Sequence, residues 1–136
     1  EVIALIGGVV DLMESRVLLG SAGHPHRVIY SREKQSAFWC SVKNGKPLGL
    51  ELDQDYTCTS QAIAAGDLIL FYTDGLTEAV NKDRVVFGEE RLLDLMGQLG
   101  QIGAARLNDA VKEAVETHRA GCPVSDDFTL LSVEIR

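Results

Sequence analysis

Apolar residues along the chain follow two rhythms. From residue 2 to residue 72 they come in short runs broken by glycine, asparagine and aspartate, the pattern of strands. From residue 88 to residue 120 they recur every three or four positions, the pattern of helices, and a last run from Phe128 to Ile135 returns to the first rhythm. Val2 to Val10 and Arg16 to Leu19, separated by the polar break Asp11 to Ser15, predict a β-hairpin, with Gly7 and Gly8 marking a bulge or close packing. So apolar a strand at the head of the chain expects neighbours on both sides, and the reading places some of them before Glu1.

Ser21-Ala22-Gly23-His24-Pro25 reads as a turn, followed by strands around Val28 to Tyr30 and Ala37 to Val42, then a loop over Asn44-Gly45-Lys46-Pro47-Leu48-Gly49. Tyr56 to Ile63 predicts a half-polar strand, and the short turn Ala64-Ala65-Gly66-Asp67 predicts that it pairs antiparallel with the apolar strand starting at Leu68. Gly88 to Met96 predicts a helix with acids in its first turn, ended by Gly100 and Gly103. A second helix, from about Ala104 to Ala120, carries Leu107, Ala110, Val111, Ala114, Val115 and His118 on one stripe and stops at Gly121, with Pro123 beyond. His118 reads as a helix-end histidine with its polar groups satisfied. Phe128 to Ile135 is expected to be a buried strand.

Chemistry enters where the strand from Leu68 ends in Thr73-Asp74-Gly75. A carboxylate at the mouth of a core strand must be bonded, paired or metal-bound, because desolvation of a lone charge costs roughly several kcal/mol. Gly75 lets the backbone turn sharply or approach a ligand. A plain turn whose Asp caps neighbouring amides is the competing reading. Asp126-Asp127 stands at the start of the final strand as Asp74 stands at the end of its own. If the two strands are antiparallel neighbours, these acids share one sheet edge, about 5 Å apart across the ladder. Aspartate oxygens without His or Cys suit Mg²⁺ or Mn²⁺, and a pair of such ions activates a water for attack on phosphorus. Gly45-Lys46 is no P-loop, since Pro47 stands where Ser or Thr is required.

Composition narrows the class. The chain has 136 residues, 46% of them hydrophobic, enough for one domain with a core and too few for two. Thirteen bases against twenty acids give a net charge of -7 without a basic cluster, which argues against nucleic acid and anionic membrane as partners. Cys40, Cys58 and Cys122 lack zinc or redox spacing and fit a reducing, cytoplasmic setting. No run reaches the roughly 20 apolar residues of a membrane helix.

Five ordered segments carry a family resemblance: Ala22 to Pro25, Gly45 to Gly49, Gly66 to Ala79, Phe87 to Leu92 and Ser125 to Leu131. Together they resemble the metal-dependent protein phosphatases of the protein phosphatase 2C class (PPM), in the bacterial branch of stage II sporulation protein E and the sigma-factor regulatory phosphatases. The resemblance implies an α+β fold, an antiparallel β-sandwich flanked by helices, with residues 1–136 forming a single domain, the C-terminal part of such a phosphatase, without its N-terminal helices and strands. It implies a binuclear Mn²⁺ or Mg²⁺ centre acting on phosphoserine or phosphothreonine, with an anti-sigma-factor antagonist as the phosphoprotein substrate. By position, Asp74 and Asp126 are metal ligands, Asp127 and Gly75 adjoin them, no further catalytic residue is assigned, and His24 belongs to a structural loop. The family's Gly-Asp motif, whose aspartate bridges the two ions, has no counterpart here, since Gly66-Asp67 lies at the wrong end of its strand. The isolated chain is therefore expected to bind metal weakly and to turn over phosphate poorly or not at all, and exposed strands offer a route to a dimer. The alternative is a partner-binding pseudophosphatase; a haloacid-dehalogenase reading fails because Tyr72 stands where its nucleophilic Asp belongs.

Overall fold

The computed structural model describes residues 2–24 and 27–136, so the last residue of the predicted turn at Ser21 to Pro25 lies outside it. The strands are β1 (Leu5–Asp11), β2 (Arg16–Ala22), β3 (Arg27–Ser31), β4 (Ser36–Trp39), β5 (Asn44–Gly45), β6 (Cys58–Ala62), β7 (Leu68–Tyr72) and β8 (Leu130–Glu134). Between β7 and β8 come the helices α1 (Asp74–Thr77), α2 (Glu89–Leu99) and α3 (Ala104–Arg119), with a 3-10 turn over Gly100–Ile102. The chain divides into two compact units, Glu1–His26 with Cys40–Ala64, and Arg27–Trp39 with Ala65–Arg136.

The first unit is built on the predicted hairpin. β1 and β2 pair antiparallel from Leu5↔Ala22 to Asp11↔Arg16, and an Arg16–Asp11 ion pair of 3.5 Å closes the turn end. The register runs unbroken through both glycines, so there is no bulge; the close packing is at Gly8, where a Cβ would meet Leu19 Cδ2 at 2.9 Å. On its other edge β2 takes β6 antiparallel and, over Ser21 and Ala22, the two-residue β5 in parallel, inside what reads from composition as a loop. Val17 and Leu19 of β2 are buried in alternation, as a half-buried strand requires. β1 is largely exposed, Val9 at 63%, since among the described residues β2 alone pairs along its length.

The second unit is an antiparallel sheet in the order β4-β3-β7-β8. Val28 and Tyr30 of β3 and Leu68, Leu70 and Tyr72 of β7 meet Leu92 and Met96 of α2 and Leu107, Val111 and Val115 of α3. The alternation on the strands and the four-residue spacing on the helices thus face each other. Each fully buried large side chain contributes roughly 1.5–3 kcal/mol, which makes this unit's core the main support of the β7 end. Gly100 lets the end of α2 lie on the Tyr30 ring, where a Cβ would come within 2.2 Å.

Two expectations need correction. β6 and β7 do not pair: β6 joins β2, and β7 joins β3 and β8. The turn between them is tied into the second unit, because Gly66 N–H donates to Ile135 O at 2.7 Å, Ile135 N–H donates to Asp67 O at 3.0 Å, and Asp67 Oδ1 accepts Arg32 N–H at 3.0 Å. Its polar groups therefore serve the start of a new sheet. β8 is half-buried, with Leu131 56% exposed, because it is the last strand of its sheet. The chain is α+β, with two largely antiparallel sheets and helices. The three cysteines are unbridged, and among the described residues no helix is long and apolar enough to cross a membrane.

Candidate metal centre

β7 and β8 are antiparallel neighbours, with Tyr72 opposite Leu130. The pairing continues one step past both strands: Thr73 N–H donates to Thr129 O at 3.2 Å, and Thr129 N–H donates to Thr73 Oγ1 at 2.9 Å. The Thr73 side chain thus serves the ladder instead of capping α1. At Asp74 the chain leaves the sheet into a single helical turn, whose first carbonyl accepts Glu78 N–H at 2.9 Å and the Thr77 hydroxyl at 3.2 Å. Continued by one more residue, the register would set Asp74 beside Phe128, two residues from Asp126 in the chain. α2 and α3 form the connection that returns the chain antiparallel to this edge.

Gly75 brings the two segments into contact. A Cβ there would lie 2.4 Å from the Asp127 carbonyl oxygen, 3.1 Å from its carbon and 3.4 Å from Asp126 O. The obstacles are backbone atoms, so no side-chain rotation could relieve them. A small cleft, about 10 Å³, is lined by Gly75, Ala79, Arg119, Val124, Asp126 and Phe128 among others. Gly75, Leu76 and Thr77 are buried, whereas Asp74, Asp126 and Asp127 are exposed. Asp74 is thus an exposed residue beside buried backbone, where charge carries a smaller desolvation cost than in a core.

Behind this edge lies a charge the sequence did not announce. Arg27, at the start of β3 and opposite Phe71, is only 1% exposed. Burial pushes the Tyr72 phenol well above its ordinary pKa, the negative charges of Glu89 and Asp74 push it further, and Arg27 opposes them. Nothing in the apolar run marks Arg27 as buried. Arg119 was equally unforeseen, although a base in the last turn before Gly121 is a helix-stop signal; it is 8% exposed and donates to Glu116 Oε1 at 2.6 Å and to Cys122 O.

His118 holds Val85 O at 2.9 Å from Nε2 and packs edge-on against Phe87 at 5.6 Å, as expected of a satisfied helix-end histidine. His24 belongs to the first unit, where its carbonyl accepts the Ser21 hydroxyl.

The donors at the edge are exposed hard oxygens on two backbone segments in contact, which fits Mg²⁺ or Mn²⁺ in kind. Among the described residues no three His, Cys, Asp or Glu side chains converge as a metal-holding group, so this chain offers two candidate ligands.

Residues 1–136 match the family described as Stage II sporulation protein E (SpoIIE). The chain is 38% identical over 113 residues to the phosphoserine phosphatase RsbU of Bacillus subtilis, covering 82% of this chain and 32% of that protein. Among solved structures it is similar to the RsbU and RsbW domains of Rv1364c from Mycobacterium tuberculosis, with TM-score 0.76 and 27% identity over 98% of this chain and 36% of that one. It is similar in fold to the PP2C phosphatase domain and regulatory-domain fragment of SpoIIE from Bacillus subtilis, with TM-score 0.79 and 22% identity over 97% of this chain and 37% of that one. The chain spans 20% to 32% of the length of the curated relatives it matches.

Proposed function

Because the chain belongs to the stage II sporulation protein E family and has its protein phosphatase 2C-like fold, we propose that it forms part of a metal-dependent phosphatase acting on phosphoserine or phosphothreonine in proteins. In this reading residues 1–136 are one part of a phosphatase domain, and the substrate is an anti-sigma-factor antagonist in a bacterial signalling pathway. The observation that carries it is the juxtaposition at the β7–β8 edge, where the Thr73–Thr129 pairing and the Gly75–Asp127 contact set Asp74 beside the Asp126-Asp127 segment.

Asp74 and Asp126 would hold Mn²⁺ or Mg²⁺, two ions in the complete domain. When bound, the cation would supply Lewis acidity to a water and positive charge for the phosphoryl oxygens. The chain's own part is positional. The threonine ladder fixes the register of the two segments, and Gly75 leaves no side chain between their backbones. Asp127 contributes its carbonyl to the Gly75 contact.

The test is phosphate release from phosphoserine peptides by the full-length protein that contains this chain. Release that requires Mn²⁺, stops with chelator and falls by at least about a hundredfold in Asp74→Asn supports the reading, since losing a metal ligand removes the nucleophile's source. Release that persists in Asp74→Asn at the wild-type rate refutes it.

A further inference from the structure

One surface feature extends beyond the metal residues. An open groove of about 600 Å³, within the size range of ligand sites, runs between α3 and the segment 124–130. Its apolar lining comes from Val124, Phe128 and Leu130, with Val124 56% exposed, and Asp109, Lys112 and Glu116 line it from the α3 side. The walls are tied together, since Ser132 Oγ donates to Asn108 Oδ1 and Ala104 N–H donates to Glu134 Oε2 at 3.2 Å. Arg119, Val124 and Phe128 line both this groove and the small cleft beside Gly75 and Asp126, so the two adjoin. Asp127 also lines the groove, while its carbonyl rests on Gly75.

We propose that this groove is the docking channel for the polypeptide flanking the phosphorylated serine, and that it selects an extended segment with an apolar side chain near the phosphoserine and a basic one beyond it. The inference rests on the phosphatase reading for the position of the phosphoserine. The apolar choice follows from Val124 and Phe128, which line both the groove and the cleft, and from Leu130, which extends the apolar lining of the groove. The basic choice follows from charge. Glu116 is paired with Arg119, which leaves the carboxylates of Asp109 and Asp127 against the single ammonium of Lys112 along the groove. A channel adjoining the candidate metal edge would give binding energy from residues remote from the phosphate, which enzymes use to position the bond to be broken.

The experiment uses dye-labelled phosphoserine peptides with the full-length protein, followed by fluorescence anisotropy and, separately, by phosphate release. The flanking positions carry leucine or glycine, and arginine or glutamate. Leucine is expected to bind about tenfold tighter than glycine, the usual worth of filling a small apolar site. Val124→Asp should bring that ratio close to one, and Asp109→Lys should reverse the preference for arginine over glutamate. Ratios between peptides within one variant are insensitive to partial loss of folded protein. Hydrolysis without any peptide preference, or with preferences unchanged in both variants, overturns the groove and leaves the phosphatase reading standing. Peptide preferences that respond to the variants in the absence of hydrolysis support the groove and count against the phosphatase reading.

Discussion

Gly75→Ala probes the contact on which the site depends. The new methyl would sit 2.4 Å from the Asp127 carbonyl oxygen, and ordinary contact begins near 3.4 Å, so the 126–127 backbone must retreat by roughly 1 Å. The displaced atoms are backbone, hydrogen-bonded into the ladder through Thr129, so the strain cannot pass to a flexible side-chain end. Overpacking of this kind costs about 1–3 kcal/mol. For a chain of this size that is a fall in Tm of roughly 5–10 °C at the middle of the range. Mn²⁺ affinity should fall as well, by about 10–100-fold, the usual effect of disturbing groups that orient metal ligands. Gly97→Ala is the matched control. It lies inside α2, where a Cβ meets nothing within 4 Å, and should leave Mn²⁺ binding unchanged while stabilising the chain by up to about 1 kcal/mol. Thermal melts with a Mn²⁺ titration read both effects. A Gly75→Ala protein with the wild-type Tm and Mn²⁺ affinity would refute the claim that this contact sets the two acids together.

Other outcomes follow from the buried polar groups. Arg119→Met should destabilise by about 1–3 kcal/mol in urea unfolding, because it strands the Cys122 carbonyl, whereas Glu116→Gln, at the exposed end of the same pair, should cost under about 1 kcal/mol. Tyr72 binds its proton more tightly folded than unfolded, so its contribution is complete below the unfolded phenol's pKa of about 10 and is lost as pH rises beyond it. Tyr72→Phe in chelator should therefore flatten the alkaline decline of Tm, and an identical decline in both proteins would contradict the assignment.

Much of this fold was legible because its residues obey one local rule at a time. The stripe of α3 is read from Leu107, Val111 and Val115, and the β1–β2 hairpin from the polar break between apolar runs. The pairing of β7 with β8, across a long helical connection, was legible only by asking where two acids could meet, and the structure has that pairing. What local pattern could not supply was the choice of partner. Ala64 to Asp67 is short enough for a hairpin, yet the half-polar β6 and the wholly apolar β7 belong to different sheets, and burial decides the pairing. Nor could it supply the burial of Arg27 and Arg119, since a local pattern does not register how deeply a charged side chain is covered. At the candidate site, the sequence nominated Asp74 and Asp126 as ligands, and the structure added the Thr73–Thr129 step, the Gly75 contact and the exposure of both residues.

The central claim, that Asp74 and Asp126 share a divalent cation, is most directly tested by a double-mutant cycle on Mn²⁺ binding, measured by calorimetry on the full-length protein with Asp74→Asn, Asp126→Asn and the pair. Two ligands of one ion are strongly non-additive: each single variant should lose most of the affinity, and the double variant should lose little more than either. Losses that simply add, or wild-type Mn²⁺ affinity in either single variant, would show that the two aspartates do not hold a common ion.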